Sequence, residues 1–218
     1  MKRASEVDHP EDLYAAITSD LDLALFEGLL RRAKSIDIQL PERGYATPLL
    51  HSCYLERPAH AELLLAAGAD VNLSDVGGVS PLMIAVSRKL ESVVGSLLER
   101  RADVNATTRR GRHVLAFAID SGSLALIQLL VANGANVFYE EPGRFTLLMH
   151  AVLAGSVDIV SHFLEAGVDP AIRTESRSGG YVEPGQTALD FSRRGGFNDI
   201  EDLIVQVHAR GGMSLRER

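Results

Sequence analysis

The stretch Thr47–Asn72, TPLLHSCYLERPAHAELLLAAGADVN, opens on a turn signal, runs through two short apolar segments and closes on Gly-Ala-Asp. The pattern returns down the chain. At steps of 33 residues, Thr47 is followed by Ser80 in SPLMIAV, His113 in HVLAFAI and Thr146 in TLLMHAV. Thr187 in TALDFSR comes 41 residues later, so eight residues are inserted before it. A second marker keeps the same step: Gly68 in GADVN, Arg101 in RADVN, Gly134 in GANVF and Gly167 in GVDPA. Two markers sharing one period identify an internal repeat, the sequence signature of a stacked solenoid.

Each repeat has a physical reading. The Thr or Ser caps the orphan N–H groups of a short first helix, and Pro48 and Pro81 sit in the first turn, where no N–H is needed. A small residue recurs five positions on (Ser52, Ala85, Ala118, Ala151, Ser192) and lets helices approach closely. Nine positions on, Gly122, Gly155 and Gly196 suit a left-handed C-cap. A second helix follows with apolar pairs such as Val93, Val94, Leu97 and Leu98, and Gly-Ala-Asp then turns the chain into an extended segment and a polar hairpin. Leu130 and Leu164 are assigned with Leu65 and Leu98 to one buried second-helix column.

This pattern resembles the ankyrin repeat family, with its Thr-Pro-Leu-His-x-Ala signature, over roughly residues 8 to 210. The resemblance implies an all-α solenoid of helix-turn-helix repeats joined by β-hairpin-like loops. Two departures matter. The family's His position holds Leu50, Met83, Ala116, Met149 and Asp190, which implies weaker bonding between successive turns. The helix-linking Gly is Glu56 in one repeat and Lys89 in the next, so those junctions should be less ideal.

The expected organisation is a flexible N-terminus (1–7), one repeat domain (8–212) and a flexible tail (213–218). The repeats run over 8–40, 41–75, 76–108, 109–141, 142–182 and 183–212, with the inserted loop at 175–182. The outer two act as polar caps, which a repeat stack needs. Gly211 and Gly212 are expected to stop the last helix.

Composition excludes several functions. Net charge is −7, which argues against nucleic acid, whose binding needs a cationic footprint. No apolar run approaches the ~20 residues of a membrane span. The start, MKRASEVDHPEDLY, lacks the apolar core of a secretory signal. One cysteine, Cys53, excludes an internal disulfide. The expected setting is cytoplasmic, without membrane or nucleic-acid partners. Lys2, Lys34 and Lys89 are the only lysines, a bias that suits a GC-rich bacterial genome.

Catalytic chemistry finds little footing. His51 and His150 share a slot held by Ile84, Phe117 and Phe191 in other repeats, so packing explains them. His162 reads as part of a solvated helix face, and Cys53 as a small buried hydrophobe. SRSGGYVEPGQT is glycine-rich but lacks the Lys of a phosphate loop. No enzyme activity, metal or cofactor is expected.

The family resemblance implies binding through hairpin tips and the concave face of the first helices. Carried over position by position, it gives Tyr54, Arg88 and Asp120 at first-helix ends. Tips contribute Arg109, Arg110, Arg112, Tyr139, Glu140, Glu141, Arg144 and, in the insertion, Tyr181. Tyr and Arg are enriched in interface hot spots. Phe138 and Phe145 flank the same turn, with packing and contact both open to them. The expected protein is a non-catalytic interaction module, monomeric when unbound, acting on another protein as inhibitor, immunity protein or adaptor; a toxin or enzyme is one such target. The alternatives are a ligand-binding or enzymatic site around residues 175–182, and a structural scaffold.

Overall fold

The computed structural model describes residues 11–175 and 183–214. Residues 1–7, all of the insertion but Glu175, and the last four residues of the tail lie outside them. The chain divides into two compact units, the first ending at Arg109 and the second beginning at Arg110. The sequence reading has one continuous domain. The division falls at a repeat boundary, as a chain allows when each repeat contacts only its neighbours.

In the first unit, α1 (Glu11–Thr18), α3 (Pro48–Tyr54) and α5 (Pro81–Ser87) are first helices, and α2 (Leu23–Leu30), α4 (Pro58–Ala66) and α6 (Glu91–Glu99) are second helices. Each first helix packs on the next first helix and on its own partner, and second helices pack likewise. The caps are those the sequence demands. Thr47 Oγ1 accepts the Leu50 N–H at 3.2 Å, and Ser80 Oγ accepts that of Met83 at 3.4 Å. Leu49, Leu50, Leu64, Leu82, Met83 and Leu97 are fully buried between the layers. Tyr14 is also fully buried, and its hydroxyl lies 2.5 Å from the Ile38 carbonyl oxygen and 2.6 Å from that of Ala46, pinning α1 to the chain before α3.

In the second unit, α7 (Val114–Ser121), α9 (Leu147–Leu153) and α11 (Ala188–Gly195) alternate with α8 (Leu124–Ala132), α10 (Val157–Glu165) and α12 (Asn198–Ser214). His113 replaces the Thr as cap, its Nδ1 accepting the Leu115 N–H at 3.2 Å. Thr187 and Asp190 form a reciprocal capping box. Strands β1 (Glu140–Glu141) and β2 (Phe145–Thr146) form an antiparallel hairpin, Glu140 facing Thr146 and Glu141 facing Phe145. These are the two strands among the described residues, so the fold is mostly helical. No helix of the described residues is long and apolar enough to cross a membrane.

Three sequence expectations need correction. The fully buried second-helix column is Leu64, Leu97, Leu130 and Phe163; the assigned set joined Leu130 to Leu65, Leu98 and Leu164, which stand one position later in their repeats. Leu130 and Leu164 are both buried, but they belong to adjacent columns, and Leu98 is half-exposed. Helix α12 runs through Gly211 and Gly212 to Ser214; glycine weakens a helix by only about 1 kcal/mol and does not forbid it. His162 is half-buried, with Nε2 shielded from solvent, where a solvated face was expected.

The glycine reading holds. Gly122, Gly155 and Gly196 adopt φ of 69°, 67° and 69° between paired helices, and Glu56 and Lys89 are forced to 56° and 54° at the same place. Bonding between successive turns uses Asp and Asn side chains in place of the missing His. Asp37 accepts the Asp70 N–H at 3.1 Å, and Asn72 Oδ1 accepts that of Asp103 at 2.8 Å. Backbone bonds join the tips as well: the N–H of Val76 reaches the Gly44 carbonyl, Arg109 that of Gly77, and Glu175 that of Gly143, all within 2.9 Å. Pro142 stands at the matching place in the remaining tip and has no N–H to give.

Candidate functional site: hairpin tips and first-helix ends

In the first unit the helix ends and tips interlock. Tyr54, at the end of α3, is half-buried and donates its hydroxyl to Asp75 Oδ2 at 3.0 Å. Burial and this carboxylate raise its pKa above the ordinary phenol range. Arg88 follows α5 in the open, with Nη1 3.1 Å from Glu56 Oε1. Arg109 is exposed on the next tip. Two residues absent from the sequence-based set stand out: Tyr45 is 46% exposed and Val76 49% exposed. The Val76 N–H bonds the carbonyl of Gly44, the residue before Tyr45. Nothing in composition separates them from core residues; their exposure follows from the turn geometry.

The second unit sorts the predicted residues into inward and outward sets. Arg110 is exposed. Arg112 is half-buried, ion-paired to Asp120 at the end of α7, with its guanidinium 4.6 Å above the Phe117 ring. Tyr139 is half-buried, stacked on His113 at 4.7 Å, and its hydroxyl donates to the Gly111 carbonyl at 3.1 Å. Glu140 and Arg144 pair across the hairpin at 3.0 Å, and Arg144 also lies 3.9 Å from Glu175. The hydrogen bond to Glu140 raises the Arg144 pKa further.

Glu141 faces inward. It is buried, with Oε2 3.1 Å from His150 Nε2. Facing His150 inside the fold, it does not offer an outward contact. Phe145 is buried edge-on to His150 and Phe191. Phe138, by contrast, is 60% exposed. Tyr181 lies outside the described residues.

The remaining polar groups serve the fold. His51 Nε2 is 3.0 Å from Thr18 Oγ1, and His60, which the sequence reading passed over, is buried with Nε2 2.9 Å from the Leu21 carbonyl oxygen. Cys53 is buried, and burial pushes its thiol up to about 12. Among the described residues no three His, Cys, Asp or Glu side chains gather as metal ligands. A cavity of about 460 Å³ in the second unit is lined by Arg173, Asp190, Arg193, Ile204 and His208 among others. Its carboxylate, Asp190, is held below the ordinary carboxylate range by hydrogen bonds from Thr187 and is spent on the cap.

A family model described as ankyrin repeats in three copies matches residues 13–108 and 82–174. The chain belongs to the ankyrin repeat family. Ankyrin repeats are generally protein–protein interaction modules built on a non-enzymatic fold. This ankyrin repeat chain is 26% identical over 204 residues to the putative ankyrin repeat protein YahD of Escherichia coli K12, covering 88% of this chain and 98% of that one. A 65-residue stretch is 40% identical to the human 2-5A-dependent ribonuclease, which is 29% of this chain but 9% of that protein's length. The crystal structure of an ankyrin repeat domain from Acinetobacter baumannii AYE superposes with a TM-score of 0.77 at 26% identity, covering 92% of this chain and 99% of that one.

Proposed function

We propose that this ankyrin repeat chain is a non-catalytic module that occupies a protein partner through its hairpin tips and first-helix ends, as an inhibitor, immunity protein or adaptor. It works in the cytoplasm and is a monomer until it binds. The observation that carries this reading is Phe138. It stands 66 residues, two periods, after Asn72, at the position where Asn72 bonds the next turn. Phe138 cannot make that bond, and 60% of its surface faces solvent. A rigid ring largely in the open supplies contact area at little entropic cost. Arg110 on the neighbouring tip adds planar donors for carboxylates.

A bacterial origin and a toxin or enzyme as target remain part of this proposal, supported by the lysine-poor composition and the acidic balance, which steers basic partners. The test is affinity purification of the full chain from its source organism, with mass spectrometry of what is retained through a salt wash. One stoichiometric protein is expected, and its activity, if it is an enzyme, should fall on adding the chain. Recovery of the chain alone at every expression level would contradict the reading.

A further inference from the structure

We propose that Asn133 is a spontaneous modification site that the fold keeps closed: its carboxamide deamidates through the Gly134 nitrogen when the last turn of α8 opens, and the carboxylate so formed hinders that turn from closing again. The chain then carries an irreversible record of its own opening.

The repeat isolates the pair. The second helices α4, α6 and α10 are capped at their C-terminal ends by Ala67, Arg100 and Ala166, none of which has a carboxamide. Helix α8 is capped by Asn133, with Gly134 next in the chain. This is the one Asn-Gly pair in the sequence; Asn72, Asn105, Asn136 and Asn198 precede Leu, Ala, Val and Asp. Glycine has no side chain to keep the following nitrogen from the carboxamide carbon.

The reaction is a ring closure between neighbours, which needs no partner molecule beyond water. The Gly134 nitrogen loses its proton to solvent base and bonds Asn133 Cγ. The Cγ–Nδ2 bond breaks, and ammonia leaves with a proton taken from water. Water then opens the five-membered imide at either carbonyl, leaving aspartate or isoaspartate at position 133. Asn133 and Gly134 are both exposed, so water reaches every step.

Closed, the last turn of α8 blocks the first step in three ways. Asn133 Nδ2 donates to the Leu129 carbonyl at 2.8 Å. The Gly134 N–H donates to the Val131 carbonyl at 2.9 Å and gives up its proton only when the turn opens. At ψ 13° the Gly134 nitrogen lies on the side of Asn133's own nitrogen, away from the side chain that it must attack. The product reverses these terms. A carboxylate cannot donate to Leu129, and negative charge at a helix C-terminus opposes the helix dipole. Isoaspartate also lengthens the main chain inside the loop that the Ala135 N–H closes on the Leu130 carbonyl at 3.0 Å.

The experiment incubates the full chain at mildly alkaline pH, in buffer and in guanidinium chloride, and follows the gain of one mass unit at Asn133 by peptide mass spectrometry. In denaturant Asn133 should convert faster than every other asparagine; in buffer it should convert at least tenfold more slowly than in denaturant. Ala132→Gly, which loosens the last turn of α8 without touching the pair, should raise the rate in buffer roughly fourfold and leave the rate in denaturant unchanged. Asn133→Asp should melt below Asn133→Ala, which loses the same bond without gaining charge. An Asn133 that stays intact in denaturant overturns the site. Equal rates in buffer and denaturant, or an Ala132→Gly chain that converts in buffer as slowly as wild type, overturn the gating by α8. Equal melts of Asn133→Asp and Asn133→Ala overturn the claim that the product hinders closing.

Discussion

Asn72 Oδ1 accepts the backbone N–H of Asp103 across successive hairpins at 2.8 Å. Asp103 in turn accepts the N–H of Asn105 at 2.9 Å, so one turn's side chain orders the next turn's backbone. This relay joins successive turns in a chain whose family His position holds Leu50, Met83, Ala116, Met149 and Asp190. Asn72→Ala should lower stability by about 1 kcal/mol, the net worth of one hydrogen bond. Urea unfolding of the full chain measures it, and an unchanged midpoint would show that water replaces the bond without loss.

Lys89 sits at φ 54°, where Gly122, Gly155 and Gly196 serve in other repeats. Lys89→Gly should therefore raise stability by about 1 kcal/mol, because strain is removed and no ion pair is lost. Glu56→Gly should gain less, since Glu56 also pairs with Arg88. The reciprocal change, Gly155→Ala, should destabilise: its Cβ would lie 3.1 Å from the Phe197 ring. Thermal melts of the three variants test the order.

Leu130 is fully buried on α8. Truncation to Ala should lower stability by about 2–5 kcal/mol, transfer and cavity together. A shift below about 0.5 kcal/mol in a denaturation series would contradict the packing of the second-helix column.

Cys53 is buried with a thiol pushed up to about 12, so at pH 8 the native chain holds almost no thiolate. A disulfide reagent at that pH should label it far more slowly in the native chain than in denaturant. Equal rates would mean that α3 opens freely.

The repeat made most of the fold legible. Period, caps and C-cap glycines are written in Thr47, Ser80 and Thr146 and in Gly122, Gly155 and Gly196, because each of these positions has a single backbone requirement. The mixed second-helix column arose because Leu97 and Leu98 are both leucine, and sequence alone does not say that Leu97 is buried and Leu98 half-exposed. Tips were harder to read. Glu141, Tyr139 and Phe138 share one stretch, and charge suggests an outward Glu and an inward Phe. The hairpin register reverses this by placing Glu141 over His150 and leaving Phe138 in solvent. Tyr45 was passed over because a left-handed Tyr leaves no compositional trace.

The tips and first-helix ends are the proposed protein-binding surface. Hydrogen–deuterium exchange of the full chain, alone and saturated with the protein it retains from its source organism, tests it most directly. Slowed exchange is expected at the tips around Phe138–Arg144 and Gly44–Tyr45 and at the helix ends near Tyr54 and Arg88. Exchange around Glu99 and Glu165, on the second helices, should stay unchanged. Protection confined to the second helices, with the tips exchanging as in the free chain, would contradict it.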